Sequence, residues 1–196
     1  MLKVVKITVL SLLCSLNIIS QNYNPNSADA LFAEGKYSAA QFLYQSIIAN
    51  DISNEKAHYY NAKCSKELFS LDAVFLYEQF LLDFPFSSFK NEVSEDLALL
   101  YFRETSYSKA ITCLLQLEDL EDYPHLIFKL AYANFSIDSL FSAQYYFSKL
   151  LNTESKYAAT SQYYSAYIAY QHGLYKTALN GFNKTELPAP RIKKEL

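Results

Sequence analysis

An all-α chain, an α-solenoid of about five antiparallel helix pairs, is what this sequence predicts, on three observations. Its 196 residues hold only 3 Gly and 5 Pro, together about 4% against a usual ~12%, too few for many short strands joined by tight turns. Valine, a strand former, occurs after residue 10 only at Val74 and Val93, while Ala, Leu, Ser, Lys and Glu are common, a helix-forming mixture. Third, a short block recurs: Gly35-Lys36-Tyr37-Ser38-Ala39-Ala40, Phe69-Ser70-Leu71-Asp72-Ala73, Ser106-Tyr107-Ser108-Lys109-Ala110, Ser139-Leu140-Phe141-Ser142-Ala143 and Gly173-Leu174-Tyr175-Lys176-Thr177-Ala178. The closing alanines are 33, 37, 33 and 35 residues apart, and a near-fixed period of that size signals stacked repeats.

Taken in order, residues 1–20 read as a secretory signal peptide. Lys3 and Lys6 supply the positive end, Ile7 to Leu16 an apolar run, and polar Gln21-Asn22-Tyr23-Asn24 follows, so cleavage is expected near Ser20. The mostly apolar stretch from Ile7 to Ile19 is shorter than the ~20 residues that span a bilayer. Cys14 follows Leu12-Leu13, not the small residue a lipoprotein signal needs. Without Lys3 and Lys6 the 17 basic residues become 15 against 20 acidic ones, a formal charge of −5, which does not suit nucleic acid. Cys64 and Cys113 remain after cleavage, and each reads as a buried thiol acting as a small hydrophobe.

From there the apolar spacing predicts helices at 22–34, 37–50, 54–68, 71–83, 90–104, 107–118, 124–136, 140–151, 156–172 and 175–186. Ser27, Ser53 or Asn54, and Asp138 or Ser139 are the expected N-caps, Gly35 and Gly173 suit helix C-termini, and Asp83-Phe84-Pro85 ends a helix. Twelve residues before each closing alanine stands another small residue: Ala28, Asn61, Ala98, Ala131 and Ala166. Small groups at both places let two antiparallel helices approach closely. Four residues after each alanine stand Tyr44, Tyr77, Leu114, Phe147 and Phe182, placed to fill the space between neighbouring pairs. Ile47, Phe80, Leu117 and Leu150 continue the stripe, and the fifth copy departs with Thr185. The repeats run about 21–53, 54–90, 91–123, 124–158 and 159–187, and Pro188 and Pro190 open a short basic tail, 188–196. A solenoid usually ends in a polar cap. Here weak capping by the tail, a dimeric contact and a longer array are all open.

These blocks resemble the tetratricopeptide repeat (TPR), a unit of about 34 residues whose antiparallel helix pair carries this small-residue and Gly-Tyr-Ala pattern. With the signal peptide, the chain is similar to exported bacterial TPR proteins of the cell envelope. The resemblance implies a right-handed superhelix whose concave face is lined by the first helix of each pair, at repeat positions 2, 5, 9, 12 and 13. Those positions hold Asp29 and Phe32; His58, Ser65 and Lys66; Glu92, Glu95, Leu99, Phe102 and Arg103; Phe128, Tyr132 and Phe135; Tyr163, Tyr167 and Tyr170. Phe102, Phe128, Tyr132, Phe135, Tyr163, Tyr167 and Tyr170 would form an aromatic partner-binding groove, or else pack against adjacent helices and leave it narrow. The carboxylate clamp of some relatives needs Lys and Asn where this chain has Pro25 and Asp29, so capture of a chaperone tail is not supported.

No catalytic constellation stands out. His58, His125 and His172 lie in different repeats without ligand-spaced partners, and Glu118, Asp119, Glu121 and Asp122 lack the alternation and glycine of a calcium loop. Three glycines leave no phosphate-cradling loop. The expected role is a non-catalytic scaffold or adaptor of the bacterial envelope, periplasmic or outer-membrane associated, without metal or cofactor, taking a protein or peptide partner and associating with envelope complexes. A subunit of an outer-membrane assembly machine, or a rigid spacer in a longer repeat array, are the alternatives.

Overall fold

The computed structural model describes residues 25–185, and the signal-like segment and the basic tail lie outside them. Among the described residues there are ten α-helices and no strand. They fall into two units, dividing after Ser87. The first holds α1 (Pro25–Ala33), α2 (Tyr37–Asn50), α3 (Glu55–Glu67) and α4 (Ala73–Asp83). The second holds α5 (Lys90–Arg103), α6 (Tyr107–Leu114), a 3-10 turn (Leu120–Asp122), α7 (Pro124–Ser136), α8 (Leu140–Ser148), α9 (Ala158–Gln171) and α10 (Tyr175–Asn183). Within each unit the principal contacts join helices consecutive in the chain, as stacked helix pairs require.

The small residues sit where the helices cross. The five closing alanines are at most 1% exposed, and of their partners only Asn61, at 6%, exceeds 2%. Four residues on, Tyr44, Tyr77, Leu114, Phe147 and Phe182 are each 0–1% exposed, and removing such side chains from water stabilises by roughly 2–3 kcal/mol apiece. Phe147 stacks on Tyr164 at 5.1 Å, tying α8 to α9.

One turn geometry joins the two helices of every pair. The chain reverses through a left-handed residue at Gly35 (φ 73°), Phe69 (φ 54°), Thr105 (φ 57°), Asp138 (φ 61°) and Gly173 (φ 73°). Each of these N–H groups donates to the carbonyl three residues back, and the next N–H to the carbonyl five back, as in Lys36 N to Leu31 O at 2.8 Å and Ser106 N to Tyr101 O at 2.9 Å. This is the Schellman closure, which satisfies carbonyls that a helix end leaves bare. Glycine takes a left-handed φ freely; other residues there cost about 1–2 kcal/mol.

Several details differ from the sequence expectations. Ser27 lies inside α1 instead of ahead of it, because the helix already runs from Pro25, and proline suits a first turn. Asn54 is the cap of α3, its Oδ1 accepting from Ala57 N at 3.0 Å; Ser139 precedes α8 without a side-chain cap bond. Three second helices stop early, at Leu114, Ser148 and Asn183, where three-back bonds such as Leu117 N to Leu114 O and Leu150 N to Phe147 O tighten the chain out of the helix. Cys64 is buried, and its thiol is pushed up to about 12 by desolvation and the nearby Glu67. Cys113 is only half-buried, because it packs against the edge of the cluster formed by Ala98, Leu114, Leu126 and Leu130 and not inside it.

The fifth pair makes a close backbone approach. Three residues after the closing alanine the other repeats carry Leu43, Leu76, Cys113 and Tyr146; here stands Gly181. A Cβ added to it would lie 2.7 Å from the Ala166 Cβ, so α9 and α10 approach closely because this side chain is missing.

Three outcomes follow for equilibrium denaturation of the protein. Phe147→Ala should lose about 3–5 kcal/mol, the usual cost of emptying a filled aromatic site. Gly181→Ala should also destabilise, since overpacking between fixed backbones costs about 1–3 kcal/mol, more than the ~1 kcal/mol alanine gains in a helix. Thr105→Gly should stabilise by about 0.5–1 kcal/mol, the relief of left-handed strain less glycine's extra freedom when unfolded.

Candidate functional site

In the second unit, α7 and α9 each carry aromatic residues at i, i+4 and i+7: Phe128, Tyr132 and Phe135, then Tyr163, Tyr167 and Tyr170. That spacing places each triplet on one helix face. Phe102, the penultimate residue of α5, extends the row. All seven are half-buried, so each ring is packed on one side and open on another.

The rings touch in sequence. Phe102 lies 5.7 Å from Tyr132, and Tyr132 lies 5.6 Å edge-on from Tyr164. Tyr164 also meets Phe128 at 6.4 Å and Phe135 at 5.1 Å. From Phe135 the row passes to Tyr167 at 5.8 Å, Tyr170 at 6.5 Å and Tyr175 at 5.8 Å. Such offset and edge-to-face contacts add to the area term. Tyr163 meets the Tyr164 ring at 5.5 Å, and its ring also lies 5.6 Å from Phe182 of α10.

At one end of the row a cleft of about 350 Å³ opens between α5 and α7, lined by Phe102, Tyr107, His125, Phe128, Lys129, Tyr132 and Tyr157. Tyr157 stacks on Phe128 at 5.0 Å, and Tyr107 stands 5.4 Å edge-on to Phe102. The Lys129 ammonium lies 4.3 Å from the Phe102 ring centroid, a cation–π distance. Burial holds its pKa below the ordinary lysine value. His125 Nε2 lies 3.8 Å from Glu95 Oε1.

The carried-over positions of the first unit are used differently. Asp29 accepts from the Tyr44 hydroxyl at 2.7 Å and pairs with Lys56 at 2.5 Å. Burial raises the carboxyl, but the bonds from Lys56 and Tyr44 outweigh it and hold its pKa below the ordinary aspartate value. Ser65 is fully buried and accepts from Gln41 Nε2 at 2.7 Å, so it lines no surface. Phe32 packs against Tyr37 and Tyr60, and the His58 ring contacts the Ile52 carbonyl at 3.0 Å.

Sequence reasoning missed five aromatic or basic residues of the site: Tyr107, Lys129, Tyr157, Tyr164 and Tyr175. Tyr164 is the hub, and burial, together with the nearby Tyr132, pushes its phenol above the ordinary value. Its repeat position is not one of those the resemblance assigns to the concave face; the available signal was the unbroken Tyr163-Tyr164 pair opposite Phe128 and Phe135. The 3-10 turn of the acidic cluster serves packing, with Glu121 paired to Lys149 of the segment after α8. Among the described residues, no three His, Cys, Asp or Glu side chains stand together as metal ligands, and no helix is long and apolar enough to cross a membrane.

No family model matches the chain, and no curated protein sequence matches it. Solved structures of similar fold do. One structure of MamA AMB-1, 20% identical, aligns over 84% of this chain and 95% of its own with a TM-score of 0.62. A second, also 20% identical, aligns over 85% and 96% at 0.66. MamA MSR-1, 19% identical, aligns over 81% and 90% at 0.64. MamA is a TPR-like helical protein, and the likeness, at this identity, is one of fold: the chain is an all-α, TPR-like helical repeat.

Proposed function

We propose that the protein is a non-catalytic interaction scaffold that takes a peptide or protein segment along the aromatic face of α5, α7 and α9. The observation that carries this reading is the row of touching, half-exposed rings from Phe102 to Tyr175. Apolar surface left open on a folded domain marks interaction sites, and tyrosine combines a large contact area with a polar tip. The TPR-like fold supports a protein partner in general. Because packed helices hold the rings in place, little of the site has to be ordered on binding, and the partner bears most of that entropic cost.

The reading extends to compartment. The basic, apolar and polar succession of residues 1–20 supports export and a place in the bacterial envelope. The exported chain should begin at Gln21 by amino-terminal sequencing; retention of residues 1–20 in the purified protein would remove this support.

Replacing both Tyr132 and Tyr167 with Ala should abolish partner capture from envelope extracts while the helical circular-dichroism spectrum is kept. Unchanged capture by the folded double variant would place binding elsewhere. The conservative Tyr132→Phe, Tyr167→Phe protein should retain capture, which separates loss of the face from loss of packing.

A further inference from the structure

We propose that the cleft between α5 and α7 seats an Asp or Glu side chain of an extended peptide, with a neighbouring aromatic or aliphatic side chain against Phe128 and Tyr132. This inference rests on the scaffold reading and assigns the chemistry of the partner at one end of the aromatic face.

Lys129 carries the argument. Its ammonium lies over the Phe102 ring at 4.3 Å, on a half-buried stem, in a cleft otherwise walled by aromatic rings. Among the described residues no carboxylate pairs with it. Glu95, the acid near this cleft, stands 3.8 Å from His125 instead. A cation drawn partly out of water without a counter-charge is a costly arrangement, and burial already lowers its pKa. A ligand carboxylate would restore the solvation the ammonium has given up, in surroundings that screen the pair less than open water does.

Size and charge narrow the occupant. A volume of about 350 Å³ is at the small end of ligand pockets, which run roughly 300–1,000 Å³, and suits one or two side chains. The chain is acidic, with 20 Asp and Glu against 17 Lys and Arg, so a polyanion such as nucleic acid is repelled overall, whereas a single carboxylate at this cation is not. The open ring faces beside Lys129 supply the apolar half of the site.

The test is an array of nonapeptides blocked at both ends, each with a central Asp, Glu, Asn, Gln or Lys flanked by Phe, Tyr or Leu. Binding to the mature chain is read by fluorescence anisotropy at low and physiological salt. Acidic peptides should bind about tenfold more tightly than their amide counterparts, the scale of a close, partly desolvated charge pair, and the advantage should shrink with salt. Lys129→Met keeps the apolar stem over Phe102 and should reduce the advantage to less than twofold; Lys129→Glu should reverse it in favour of the Lys peptides. Equal binding of acidic and amide peptides, or an acid preference that survives in Lys129→Met, overturns the inference and leaves the scaffold reading standing, since the peptides still bind the face. Binding restricted to peptides with an unblocked carboxyl terminus overturns the side-chain assignment. No binding by any peptide overturns both readings.

Discussion

The closeness of approach between paired helices is the constraint on which the rest of the structure depends. Two helices carrying ordinary side chains at their crossing would stand further apart, and the large residue one turn later would meet a gap instead of a wall. The ten small residues at the crossings, nine of them alanine, remove that obstacle, and Tyr44, Tyr77, Leu114, Phe147 and Phe182 then fill their sites completely. At the fifth pair the same logic goes a step further, with Gly181 allowing α10 onto Ala166. Because the crossing sets the rotation of each helix, it also decides which residues of α7 and α9 turn outward, and so makes the aromatic face.

Turn geometry and residue choice are separable here. All five intra-pair turns use the same left-handed position and the same two hydrogen bonds, yet only two carry glycine. The repeat was therefore legible through its alanines, which packing permits few residues to replace, and much less through its turn residues, which the backbone tolerates at a small strain. Helix type and order were legible for the same reason, because apolar spacing repeats over several turns. Three C-terminal boundaries were not, since the packing stripe continues into Leu117 and Leu150, and in the fifth copy into the buried Thr185, after the backbone has left the α-helix. A side chain can remain on the packing face of a three-residue turn, and the pattern does not register the change.

The site was legible in outline. A repeat rule that names outward positions finds Phe102, Tyr132, Phe135 and Tyr167, but it treats each position alone. It does not find Tyr164, whose importance comes from five rings converging on it from α7, α8 and its own neighbour, nor Lys129, whose setting arises only when α5 brings Phe102 beneath it. It assigned Ser65 to a surface, whereas that hydroxyl is fully buried and accepts from Gln41 of α2; Asp29 keeps an exposed side chain but is paired to Tyr44 and Lys56. Tyr163 was placed with the other rings by its repeat position, and its ring touches both Tyr164 and Phe182 of α10. Positions set by backbone period can be read from one chain; positions set by which neighbour arrives cannot.

The pairing of helices with their immediate successors has a kinetic consequence. Within each unit the principal contacts are between elements joined by short connections, so little loop-closure entropy must be overcome before packing energy is gained. Chains dominated by such local contacts fold on microsecond-to-millisecond timescales, and a helical hairpin closed by a Schellman turn can serve as a nucleus onto which the next helix docks. Any of the five pairs offers such a nucleus, so assembly can begin at several points along the chain and spread by neighbour-to-neighbour growth.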